Sequence, residues 1–201
     1  MRARPAACAG FTLLETLITL MIMAIVTAIA VPAFSGLLGE SRVSAAARAY
    51  ASALRKAQAV AISTNRNTEV LFSNAAPTPA GVAGAVASAA AGSSGWITRM
   101  VGAATAADFI EGFSLADQVP NVSIAATPTA LGFTPLGRPI DRSGGGLAPL
   151  AATTVVRFTE GTSLRRWCTY LSTGGAVRVC DPTQPAGRPS SCQPDLGAGA
   201  C

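Results

Sequence analysis

Residues 11–34 read FTLLETLITLMIMAIVTAIAVPAF, an apolar run whose only charge is Glu15. At ~1.5 Å rise per residue, a helix of that length crosses a bilayer core of ~30 Å. A lone carboxylate in hydrocarbon costs several kcal/mol. A chain built this way is therefore an anchored protein with a flaw, or one whose carboxylate meets a partner that the isolated helix lacks.

The flanks separate the alternatives. The leader, MRARPAACAG, carries Arg2 and Arg4 and holds no apolar region ahead of its small residues. A cleaved secretory signal needs the opposite order, and a lipoprotein signal at Cys8 fails for the same reason. An ordinary membrane anchor accounts for the length and for basic residues kept on the cytoplasmic side. It leaves Glu15 unexplained.

The basic leader, Gly10, Phe11, Glu15 and Pro32 together resemble the class III signal of type IV pilins and type II secretion pseudopilins. The resemblance implies cleavage by prepilin peptidase between Gly10 and Phe11, followed by N-methylation of Phe11. It also implies an inner-membrane precursor, N-terminus cytoplasmic and head periplasmic, that is drawn into a helical filament of pilins or pseudopilins. Cleavage would create an amine at Phe11, and Glu15 would meet the amine of a neighbouring subunit. A buried ion pair is less costly than a lone buried charge. Pro32 lacks an N–H and clashes with the preceding turn, which predicts a kink at 28–32.

Four segments follow: a leader over 1–10, a transmembrane or filament-core helix over 11–34, an amphipathic half over 35–63 and a β-rich head over 64–201. In the amphipathic half, Val43, Ala47, Tyr50, Leu54, Ala57 and Ala61 recur at spacings of three and four, one helical stripe. Arg42, Arg48, Arg55 and Lys56 lie largely off it. Strands are predicted at 68–73, 95–101, 122–125, 131–133, 153–159, 164–171 and 176–180. Residues 74–94, rich in Ala, Gly, Pro and Ser, read as a mobile loop. Residues 143–146 (SGGG) mark another loop, and LGFTPLGRP at 131–139 reads as a strand and a turn. The class is α+β, largely antiparallel. The stretch LRKAQAVAISTNRNTEVLF resembles the helix-to-strand junction of the GspH/FimT (FimU) group, which implies a pilin fold.

Cys168, Cys180, Cys192 and Cys201 all fall in the last 34 residues. An even, clustered set suggests two disulfides and an oxidising compartment. The spacings contain no C-x₂-C pair, which argues against zinc. If the STGG turn centres on Gly174, Cys168 and Cys180 face each other, so a bond between them is one option. A Cys180–Cys192 loop is another, and the sequence does not choose.

The chain has no histidine. That excludes Ser-His-Asp and Cys-His catalysis and any His metal site. With no phosphate loop or paired-carboxylate spacing either, the expectation is a non-enzyme without cofactors. The net charge of +5 is mild. In some FimT-like minor pilins a Gly-Arg-x-Arg motif captures DNA, and here the matching stretch is Gly175-Ala176-Val177-Arg178, so the first Arg is missing. Arg165, Arg166, Arg178 and Arg188 remain as candidate DNA contacts. The resemblance thus implies a structural subunit: a minor pilin of a type IV pilus, in the filament or priming its tip. The alternatives are the H-type pseudopilin of a type II secretion system and a DNA-capturing minor pilin. The cysteine-rich tail favours the first.

Overall fold

In the computed structural model, residues 11–103, 105–161, 166–192 and 201 are described, without the side chains of 31–37. Two compact units emerge, Met1–Gly39 and Glu40–Cys201. The helix α1 (Leu13–Thr64) contributes to both. The kink expected at Pro32 falls among residues 31–37, whose side chains lie outside those described.

In the first unit no side chain of the apolar window Leu13–Ala30 is buried, and the window's mean hydropathy is 2.3. By length and composition this helix could cross a membrane. Its threonines hide their hydroxyls. Thr16, Thr19 and Thr27 donate to the carbonyls of Leu13, Thr16 and Met23 at 2.8 to 2.9 Å. Such back-bonding satisfies a polar group where no water is available.

The second unit packs its stretch of α1 against two antiparallel sheets. The first holds β1 (Thr68–Ser73), β2 (Gly95–Met100), β3 (Phe109–Ser114), β5 (Ala130–Phe133), β6 (Pro139–Asp141) and β7 (Ala148–Pro149), in the order β3-β2-β1-β5-β6-β7. The second runs β10-β9-β8-β4, from β4 (Val122–Ala126), β8 (Thr154–Glu160), β9 (Arg166–Leu171) and β10 (Val177–Cys180). A short helix α2 (Leu115–Gln118) follows β3, capped by the Ser114 hydroxyl, which accepts from Asp117 N–H. The fold is α+β, a long N-terminal helix followed by antiparallel sheets.

The predicted stripe is the buried face. Val43, Ala47, Tyr50, Leu54, Ala57 and Ala61 are all shielded, joined by Ala46, Ala51 and Ala53. The alanines let both sheets approach the helix backbone. Thr68 of β1 donates its hydroxyl to the Ala57 carbonyl at 2.9 Å, and Thr169 of β9 to that of Ala47 at 2.8 Å. Tyr50 fills the centre, its ring 5.2 Å from Phe72 and Trp96 and 5.9 Å from Phe158. The basic residues flanking the stripe reach outward to the sheets. Arg42 meets Glu160 at 3.5 Å, Arg48 lies 5.6 Å over the Trp167 ring, Arg55 donates to the Val177 carbonyl at 2.9 Å, and Lys56 meets Glu111 at 2.8 Å.

Two expectations change, and the choice left open among the cysteines is made: Cys180–Cys192 is one of the two bonds. Residues 74–94 are mostly exposed but docked at points: Val82, Ala85, Ala90 and Ser93 are buried, and Ser88 N–H bonds the Phe72 carbonyl at 2.8 Å. Alanines and one valine have enough apolar surface to dock on a sheet without forming a strand. Gly112 marks one seat of this loop, since a Cβ there would sit 2.5 Å from the Pro77 carbonyl oxygen. Strand β3 was not predicted, and neither were the very short β6 and β7. Cys168 and Cys180 are opposed in the β9–β10 register as predicted, yet they do not bond to each other. Cys168 pairs with Cys201 and Cys180 with Cys192, at Cα separations of 6.0 and 4.9 Å.

Candidate functional site

The candidate site begins where the helix begins. Thr12 precedes the first helical residue and accepts the Glu15 N–H on its hydroxyl at 3.2 Å. Its carbonyl accepts the Thr16 N–H at the same distance. Thr-x-x-Glu is the spacing of a capping box, with Thr12 at the N-cap and Glu15 three residues in. A carboxylate in the first turn also complements the positive end of the helix dipole. The sequence reading missed Thr12. Its signal was present: a threonine three residues ahead of an acid, at the head of an apolar run.

Glu15 is thereby placed on the first turn with its carboxylate outward and exposed. Among the described residues the carboxylate forms no ion pair, whereas the hydroxyls of Thr16, Thr19 and Thr27 close on their own helix. Phe11 is 82% exposed. Gly10, the expected cleavage position, lies outside the described residues, and so does Arg165.

The described arginines among the predicted DNA contacts stand on β9, on β10 and in the tail. Arg178 stacks 5.8 Å over Tyr170 on β9. Arg166 opens β9 and is exposed, and Arg188 is exposed in the tail. The four cysteines do come together, all buried in one cluster with Tyr170. The sulfurs of Cys180, Cys192 and Cys201 lie within 4.8 Å of one another, but each is bonded in a disulfide and offers no thiolate. The tail between them is held by Asp181. Its carboxylate accepts from Thr183 N–H at 2.8 Å, the Thr183 hydroxyl at 2.6 Å and Gln184 at 3.3 Å.

A buried polar constellation stands apart from all predicted sites. Glu69 on β1 accepts from Arg99 Nε at 2.8 Å and from Arg142 Nε at 2.9 Å. Arg99 goes on to the Val82 carbonyl at 2.6 Å, and Arg142 to those of Gly145 and Gly146. One carboxylate thus holds two cations, and the cations hold two loops. Gln58 does similar work for two turns, donating to the Gly137 carbonyl at 2.9 Å and reaching that of Gly175 at 3.5 Å.

The family model for the prokaryotic N-terminal methylation motif matches residues 5–31. This chain carries that motif. The match holds Gly10, Phe11, Thr12 and Glu15 within one stretch. No curated protein matches the chain. Among solved structures, the chain is similar to the minor pseudopilin EpsH from the type 2 secretion system of Vibrio cholerae. Identity is 9%, the TM-score is 0.45, and the match covers 71% of this chain and 99% of that one. It is also similar to the type IV minor pilin FimU of Pseudomonas aeruginosa, at 14% identity and a TM-score of 0.45, covering 74% of this chain and 98% of that one.

Proposed function

We propose that this chain is a minor subunit of a type IV pilus. Prepilin peptidase cuts it between Gly10 and Phe11, and Phe11 is N-methylated. The apolar helix holds the precursor in the inner membrane, head periplasmic, until the subunit enters the filament or primes its tip. One observation carries the reading of an assembly subunit, and the four-cysteine tail favours the pilus. Glu15 is the only charge in an otherwise apolar run within a methylation motif, capped into the first turn with its carboxylate outward and, among the described residues, without an ion-pair partner. Cutting at Gly10 creates the cation that such a carboxylate needs, and assembly brings it from a neighbour. The threonines of the same helix need no partner, because they bond their own backbone. Glu15 alone calls for one.

Mass spectrometry of the mature protein is expected to show an N-methylated Phe11 at its start, and an intact Met1 in processing-competent cells would refute the reading. Glu15→Ala is expected to leave cleavage intact and to lower incorporation into filaments at least about tenfold, the scale of one modest charge interaction. Normal incorporation would remove the ion-pair account. Assembly with a type II secretion machine would reassign the subunit and leave the role of Glu15 standing.

A further inference from the structure

The four cysteines of the head stand close together for reasons that precede their bonds. Strands β9 and β10 set Cys168 and Cys180 opposite each other on one face of the second sheet. Directly opposed side chains have Cβ atoms about 4.5–5.5 Å apart. The backbone of the tail then returns Cys192 to Cys180. Asp181 N–H donates to the Ser190 carbonyl at 2.7 Å, Asp181 and Ser191 form a parallel bridge, and the Ser191 hydroxyl donates to the Gln184 carbonyl at 3.3 Å. None of these contacts passes through sulfur. Hydrogen bonds thus gather Cys168, Cys180 and Cys192, and Cys201 completes the group from the end of the tail.

As thiols, these residues are four soft ligands in one place. A tetrahedral zinc site with metal–sulfur bonds of about 2.3 Å holds its sulfurs about 3.8 Å apart. The sulfurs of Cys180, Cys192 and Cys201 lie within 4.8 Å of one another, and Cys168 is bonded to Cys201. Small torsional shifts bring such a set to tetrahedral spacing. All four residues are at most 6% exposed, which suits an ion with no open coordination position. Four thiolates around a divalent ion carry a net negative charge, and cations border the group. Arg157 on β8 stands opposite Cys168, and Arg178 shares the face of Cys180 on β10, two residues earlier. Cations beside thiols favour the thiolate. Asp181, the adjacent acid, is turned to Thr183 and Gln184. The sequence lacks a C-x₂-C pair, but the strand ladder supplies the closeness that a short spacing would.

We propose that the head, before its disulfides form, binds one thiophilic divalent ion of the zinc class at Cys168, Cys180, Cys192 and Cys201. Capture exchanges four S–H protons for the ion and moves no electrons. The ion and the disulfides use the same sulfurs, so the two states exclude each other. Either one ties the tail to β9 and β10. The proposal rests on β8, β9, β10 and the tail, and does not depend on the fate of Glu15.

The test uses the full chain in lipid nanodiscs with Cys8→Ser, so that every thiol belongs to the head. The chain is reduced with a phosphine, freed of it without air, and titrated with Zn²⁺, Co²⁺ and Cd²⁺. One ion per chain is expected, with all four thiols shielded from alkylation and with the visible cobalt spectrum of a tetrahedral four-sulfur site. Cys180→Ser is expected to weaken cadmium binding at least about tenfold. Where reduction loosens the head, the ion is expected to restore its near-ultraviolet circular dichroism. The proposal is overturned if the reduced chain binds no ion, or if one bound ion shields fewer than four thiols. It is equally overturned if a chain with serine at all four positions binds as tightly, or if a loosened head is not restored.

Discussion

The two stretches of α1 solve the same problem in opposite ways. Between Leu13 and Ala30 the apolar side chains are large and turned outward: Leu17 is 56% exposed and Met21 69%. Between Val43 and Ala61 one face of the helix is buried, and its apolar side chains are mostly alanine. Hydroxyls follow the same division. In the first stretch Thr16, Thr19 and Thr27 bond the helix that carries them. In the second, the helix carbonyls of Ala47 and Ala57 are reached by threonines of the two sheets. Large outward apolar groups need a solvent of like kind, or other helices. Small inward ones need a sheet close enough to touch the backbone. The contrast predicts where the chain tolerates change.

The largest effect is expected at Glu69, on which the head alone depends. Glu69→Ala leaves Arg99 and Arg142 facing each other in a largely buried site, at a cost of about 3–5 kcal/mol. Urea denaturation followed by tryptophan fluorescence would measure it, since Trp96 is buried in the same unit. Helicity of the first stretch should survive. Replacing Cys168 and Cys201 together by serine should come next, at about 2–4 kcal/mol under oxidising conditions and nothing under reducing ones. Because this bond spans 33 residues and Cys180–Cys192 spans 12, the longer closure should matter more.

A matched pair of substitutions tests the comparison directly. Ala57→Leu should destabilise the head by about 1–3 kcal/mol, because a sheet hydroxyl sits 2.9 Å from that residue's carbonyl. Ala24→Leu, on the exposed stretch, should leave the same melting curve unchanged. Equal effects from both would dissolve the distinction. The smallest change is expected at Tyr50. Burial pushes its hydroxyl pKa up, and the hydroxyl has no hydrogen-bond partner among the described residues. Tyr50→Phe keeps the ring stack and removes the orphaned group, so stability should stay level or rise by up to about 1 kcal/mol. A thermal melt showing a clear loss would reveal a partner for that hydroxyl.

Much of the helix was readable because its signals are local. The stripe from Val43 to Ala61 needs only a spacing of three and four. The predicted bounds of the strand at 68–73 match β1, although all six of its residues are buried and none alternates outward. Strand β3, FIEGFS, carries Glu111 and Gly112 at its centre and is half-buried throughout, so it shows no alternation to find. Strands β6 and β7 are too short to carry a period. Residues 74–94 looked loose because their composition is poor in large side chains, yet Val82 and Ala85 are buried against Leu71, Ile97 and Ala130 of the first sheet.

At the candidate site, the sequence by itself determined the motif, the lone carboxylate and, through Thr12, its cap. Thr12 and Glu15 lie within one helical turn, so spacing along the chain is spacing in space. The register of Cys168 and Cys180 was also determined locally, by a symmetric turn. Which cysteine each one bonds was not, because that depends on where the tail returns. The Glu69 clamp joins residues 30 and 73 positions apart. Contacts between distant segments leave no period in a sequence, and the tertiary structure alone decided them.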